Sequence, residues 1–196
     1  MRLIIAIAGA SGAIYGIRML KALRDLPDVE THLIISKTGR MNIGLETNYT
    51  VGDVEALADH TYKNSDIGAT IASGSFATDG MVVTACAMKT LSGIVHSYAD
   101  DLLTRAADVT LKERRRLVLM PRETPLHTGH CKLLLEASQM GAIIAPPLPA
   151  MYAKPQSIDE MVDHTIGRVL DLFDIKTHLT YQWEGASLEK NARGDS

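Results

Sequence analysis

The chain has 196 residues, 46% of them apolar, with a formal net charge of −3, enough for one well-buried core and too acidic overall to draw in nucleic acid or an anionic membrane surface. Its two cysteines, Cys86 and Cys131, fall in a predicted strand and a predicted helix and give neither a disulfide framework nor a metal-ligand spacing. The N-terminal apolar run is too short to span a bilayer and enters a glycine turn without a signal-peptide cleavage pattern, so a cytoplasmic protein is expected.

In chain order, the apolar run 3–8 reads as a buried strand. It breaks into a turn holding Gly9, Ala10, Ser11 and Gly12, and the pattern restarts as a helix over 13–26, closed by Pro27. A strand over 32–35 ends in Ser36 and Lys37, and helices follow over 39–45 and 51–59. Next come a strand over 81–84, helices over 89–95 and 100–111, and a strand over 117–120. A helix over 128–140 stops at Gly141, a strand over 142–145 runs into the extended stretch PPLPA at 146–150, and a last helix covers 158–173. Past Trp183 the sequence is polar and aperiodic. We therefore expect a single domain over 1–185, a mobile tail over 186–196, and βαβ alternation. Right-handed crossovers then build a three-layer α/β/α sandwich around a Rossmann-like, flavodoxin-like parallel sheet.

Ligands in such sheets gather at the carboxyl ends of the strands. There the first turn offers unpaired helix N–H groups and a partial positive charge to an anion, although similar turns occur in α/β proteins that bind nothing. The second strand ends without the acidic residue that would hold a ribose 2′-hydroxyl, which disfavours a dinucleotide and leaves a mononucleotide such as FMN as the better fit. The run KERRR at 112–116 reads by itself as a solvated face. Arg122 and Glu123 directly follow a strand and sit at the functional edge, as an acid/base carboxyl with its cation or as a structural ion pair. His127 and His130 have metal-compatible spacing but no third ligand, so a helix cap or a surface position is expected. Tyr152 closes over a substrate or simply packs its loop.

Beyond these readings, the chain carries GASGAIYG at the first turn, ASGSF at 72–76, CAMKTLSGI at 86–94, LLTRAADVTLKERRRLVLMPRETPLH at 102–127, and PPLPAMY. In these segments it resembles the UbiX-type flavin prenyltransferases, over nearly its whole length. The resemblance implies transfer of a dimethylallyl group from dimethylallyl phosphate to N5 and C6 of reduced FMN. The product, prenylated FMN, would serve UbiD-type decarboxylases in ubiquinone biosynthesis or aromatic acid decarboxylation. It also implies a homododecamer with active sites between subunits, and no metal in the reaction.

By position, Gly9, Ala10, Ser11, Ser36, Ala87, Met88, Lys89, Thr90 and Arg122 resemble the FMN contacts. Tyr152, Arg168, Arg105 and Lys112 resemble the groups that hold the dimethylallyl phosphate, with Trp183 beside the allyl chain. Glu123 resembles the acid/base, with Ser11, Glu46 and Lys112 in supporting roles. Ala87 stands where the family commonly has serine, and Gln182 where arginine is usual. The competing readings are an FMN-dependent cysteine decarboxylase of the phosphopantothenoylcysteine type and a non-catalytic flavin carrier.

Overall fold

The computed structural model describes residues 1–180; Trp183, Gln182 and the expected tail over 186–196 lie outside the described residues. Six parallel strands form one sheet: β1 (Arg2–Ile7), β2 (Glu30–Ile35), β3 (His60–Lys63), β4 (Gly80–Cys86), β5 (Arg116–Pro121) and β6 (Ile143–Ile144), in the order β3-β2-β1-β4-β5-β6. Seven helices accompany them: α1 (Ala13–Arg24), α2 (Lys37–Glu46), α3 (Val51–Glu55), α4 (Met88–Val95), α5 (Leu102–Lys112), α6 (Thr128–Gln139) and α7 (Ile158–Asp171). The chain leaves β1 toward one side and β4 toward the other, so the topological switch lies between these two central strands.

Alternation along β1 divides the core. Leu3, Ile5 and Ile7 pack with α1, α2, α3 and α7 on one face, through Ile17, Leu20, Ile43, Val54, Ile166 and Leu170. Ile4, Ala6 and Ala8 pack with α4, α5 and α6 on the other, through Leu91, Ile94, Leu103, Ala107 and Ala137. These strands read as near-continuous apolar runs because both faces are covered. The expected sandwich is therefore present, and among the described residues no helix is long and apolar enough to cross a membrane.

One strand was not legible. β3, with the sequence HTYK, pairs only with β2 among the described residues, and three of its four residues are exposed. An edge strand with little apolar content leaves no periodic signal. The helix expected over 51–59 is correspondingly short, starting at a Thr50–Asp53 capping box and ending at Glu55. Beside β3, burial pushes the His32 imidazole below its ordinary value, leaving it neutral at neutral pH.

The end of β1 is crowded from two sides. A Cβ on Gly16 of α1 would come within 2.5 Å of the Ile7 side chain, and one on Gly39 of α2 within 2.5 Å of the Ile7 carbonyl oxygen. Both helices can approach this strand only because these residues lack a side chain. Gly39→Ala is expected to destabilise the protein by about 1–3 kcal/mol, the usual range for overpacking. Gly44→Ala, in the same helix with nothing within 4 Å of the added methyl, should instead stabilise by about 0.5–1 kcal/mol. Denaturant unfolding of both variants checks the pair.

Candidate functional site

The carboxyl edge is organised by helix starts. The Ser36 hydroxyl caps α2, accepting from the Gly39 N–H at 2.9 Å, which leaves its O–H free to donate outward. Ala87 caps α4 with no side-chain hydrogen bond, so the first-turn N–H groups of that helix keep their capacity for an external acceptor. Both helix starts open into one cavity of about 740 Å³, lined by Gly9, Ser36, Lys37, Thr38, Ala87, Lys89 and Thr90. The uncapped start of α4, the remaining first-turn donors of α2 and the Lys37 and Lys89 ammonium groups make this end of the cavity anion-accepting, while Asp100 and Asp101 line its other side, and the whole is large enough for a mononucleotide. Its donor set therefore fits FMN, phosphate first.

The first turn itself differs from expectation. Its helix N–H groups are already engaged: the Glu46 carboxylate accepts from Gly12 N at 2.8 Å and Ala13 N at 3.1 Å. The anion at the start of α1 is thus a side chain from the end of α2, and the helix-start donors left open toward the cavity lie at α2 and α4. Asn42 fixes the turn from below, donating to the Gly9 and Ala10 carbonyl oxygens at 3.1 and 2.9 Å. The Ala10 N–H donates to the Ala85 carbonyl at 3.0 Å. Ala85 is held at φ +46, where the register of β4 shifts against β5, so an uncommon backbone conformation sits at the switch point. Asn42, Asn64 and Thr38 are contributors that sequence reading missed. None belongs to a local motif; Asn42 and Thr38 are brought to the turn by the approach of α2, and Asn64 lines the same cavity from the end of β3.

On the far wall, Asp101 caps α5 through Thr104 N and accepts from the Asn64 side chain at 3.0 Å. Arg122 enters the edge through its backbone, its N–H donating to the Cys86 carbonyl at 3.2 Å, with its side chain exposed. Glu123 is also exposed, and its Oε1 accepts from Thr124 N at 3.0 Å. Within its own chain this carboxyl therefore faces solvent.

The groups assigned to the prenyl phosphate do not converge within one chain. Arg105 and Lys112 lie on α5, where Arg105 donates to the Ala72 carbonyl and pairs with Asp108 at 2.7 Å, and Lys112 pairs with Glu113. Tyr152 and Arg168 belong to the opposite face. The Tyr152 hydroxyl lies 3.4 Å from His164 Nε2 of α7, and Arg168 pairs with Asp171 near the end of that helix. The sheet separates the two pairs, so a single subunit does not bring all four together. Lys112 is further displaced, because α5 ends at the amino edge of the sheet. His127 caps α6 through Nδ1, accepting from Gly129 N at 3.0 Å, and its ring lies 3.7 Å from that of His130.

The Flavoprotein family matches residues 1–170 of the chain. The flavin prenyltransferase UbiX of Escherichia coli K12 is 57% identical over 187 residues, covering 94% of this chain and 99% of its own. The crystal structure of a dodecameric FMN-dependent UbiX-like decarboxylase from Escherichia coli O157:H7 superimposes with a TM-score of 0.93 at 51% identity, over 94% of this chain and 100% of that one. AnUbiX (PadA1), solved in complex with FMN and dimethylallyl pyrophosphate, superimposes with a TM-score of 0.92 at 49% identity, over 94% and 98% of the two chains.

Cys86, at the end of β4 beneath the Ala87 turn, is fully buried, and burial pushes its thiol up to about 12. A raised thiol stays protonated and unreactive through the physiological range. Alkylation of the folded protein near the ~8.5 of an ordinary thiol should modify exposed Cys131 and spare Cys86 until denaturant is added, as read by peptide mass spectrometry.

Proposed function

The chain belongs to the Flavoprotein family and, within it, to the UbiX-type flavin prenyltransferases, and from that premise we propose that it joins a dimethylallyl group from dimethylallyl phosphate to N5 and C6 of reduced FMN. The observation that carries this reading is the 57% identity sustained over 94% of the chain. It is supported by the cavity at the switch point, whose donors suit a flavin phosphate.

In this proposal Ser36, Lys89, Thr90, the backbone N–H groups of Ala87 and Met88, and the Arg122 guanidinium hold the phosphate and orient the flavin. Gly9, Ala10 and Ser11 run beside the ring. The bound flavin supplies the nucleophilic nitrogen and carbon. Breaking the allylic C–O bond places growing negative charge on the departing phosphate, which Arg105, Lys112, Arg168 and the Tyr152 hydroxyl stabilise without a metal. The Glu123 carboxyl gives a proton to the departing oxygen as N5 takes the allyl carbon; the proton lost from N5 passes to the remaining allyl double bond, C6 bonds to the carbon so activated, and Glu123 takes the ring proton from C6, supported by Ser11 and Glu46. Trp183, outside the described residues, enters only through the family resemblance, as a wall of the allyl slot.

Because Arg105 and Lys112 share one face of the sheet and Tyr152 and Arg168 the other, the proposed donor cradle is completed between subunits. A homododecamer such as that of the UbiX-like relative from Escherichia coli O157:H7 offers such an arrangement, and assembly would also exclude water from Glu123. The product goes to a UbiD-type decarboxylase, and the compartment is the cytoplasm. The level of identity disfavours the cysteine decarboxylase, and Tyr152 stands where that type has asparagine.

Anaerobic incubation with reduced FMN and dimethylallyl phosphate, followed by mass spectrometry of the released flavin, tests the proposal. The expected product carries one added C5 unit; unmodified flavin from folded, flavin-loaded protein would favour the carrier reading. Glu123→Gln should lower the rate by about 10²–10⁴-fold, the usual contribution of a positioned acid/base, with FMN binding kept. Ala87→Ser restores a hydroxyl at the uncapped start of α4 and should tighten FMN binding by up to about tenfold, the worth of one net hydrogen bond.

A further inference from the structure

Away from the flavin cavity, the amino ends of β2 and β3 bring three ligand-type side chains together. His32 and His60 are partners in the parallel register of the two strands, and Glu30 precedes His32 by two residues, on the same face of β2. Glu30 Oε1 lies 2.9 Å from His60 Nε2 and 3.5 Å from His32 Nε2. One candidate ligand atom from each residue lies within 4.8 Å of the other two. His32 is 1% exposed, and its Nε2 has no hydrogen-bond partner among the described residues. A buried polar atom left in this state calls for an explanation.

We propose that Glu30, His32 and His60 bind a divalent transition-metal ion of the zinc class, through Glu30 Oε1 and the two Nε2 atoms, with the remaining coordination open to water. Two imidazoles and one carboxylate suit zinc and its first-row neighbours and disfavour magnesium or calcium, which take oxygen ligands. Ligands held at ~2.1 Å around a tetrahedral ion lie about 3.4 Å apart, which is close to the present Glu30–His32 separation. The supporting contacts are also built. Arg2 Nε donates to Glu30 Oε2 at 2.8 Å, turning Oε1 toward the histidines. His32 Nδ1 lies 3.0 Å from the Tyr62 hydroxyl, itself 3.2 Å from Thr70 Oγ1. Metal binding selects the tautomer in which Nδ1–H donates to Tyr62, and Tyr62 donates onward to Thr70, leaving the Nε2 lone pair for the ion. The His60 ring, half exposed and stacked 4.8 Å from His32, is the mobile arm and tilts out of the stack to ligate. The ion then ties the exposed edge strand to its neighbour.

The site is independent of the flavin reaction, and its test uses the full chain stripped with a chelator. Titration with zinc against a chromophoric competitor should show one ion per chain. His60→Ala and Glu30→Gln, both at half-exposed positions that leave the core intact, should each weaken binding by more than the ~10-fold lower end seen when a supporting group is lost. His127→Ala should leave it unchanged. Zinc should raise the thermal midpoint of the parent protein and not that of His60→Ala, while prenyl transfer by His60→Ala stays at the parent level. Equal zinc binding by the parent and His60→Ala, or no binding by the parent, overturns the proposal.

Discussion

The last residue of β1 is squeezed between two helices, and the carboxyl edge depends on that squeeze. Ile7 meets Gly16 of α1 through its side chain and Gly39 of α2 through its carbonyl, at distances that no Cβ would allow. With α2 drawn this close, Asn42 reaches the carbonyls of Gly9 and Ala10, and Glu46 reaches the first N–H groups of α1. The turn is therefore held by two side chains from a different helix as well as by its own sequence. The same approach brings the N-terminus of α2 beside that of α4 across the switch point, so the cavity collects the positive ends of both helices.

This edge uses its charges economically. Glu46 neutralises the start of α1, the Ser36 hydroxyl covers one donor of α2, and only α4 begins with no side-chain cap. Its missing cap is a local weakness for the isolated helix and an advantage for a bound anion, which restores the lost hydrogen bonds. Three of the cations assigned to the prenyl phosphate are paired with neighbours within the chain, Arg105 with Asp108, Lys112 with Glu113 and Arg168 with Asp171. Such exposed pairs are weak in water and exchange partners at little cost. That property suits residues that meet a phosphate only after subunits assemble.

The opposite end of the sheet follows another logic. β3 is the edge strand of the described sheet, with little apolar content and a cluster of aromatic and imidazole rings beside it, His32 stacked on His60 and met edge-on by Phe76 at 5.4 Å. Burial of His32 against this cluster gives the outer strands a polar extension of the aliphatic core, against which Tyr62 and Phe76 also pack. The two ends of β2 thus do different work, anion recognition at Ser36 and the imidazole–carboxylate cluster at Glu30 and His32.

The alternation of strands and helices and the parallel sheet were legible because buried parallel strands are apolar runs. The long block around Arg122 and Glu123 carried the family resemblance. β3 was illegible, since an exposed edge strand has no hydrophobic period, and Asn42 and Glu46 act on a turn more than 30 residues away, with no local signature. His32 and His60 meet through strand register, which no spacing rule along the chain encodes. The sequence alone determined which segments are buried, because burial of parallel strands follows from local composition. Only the tertiary structure decided which side chain fills each open position and which cations share a face, because those depend on strand order and helix approach.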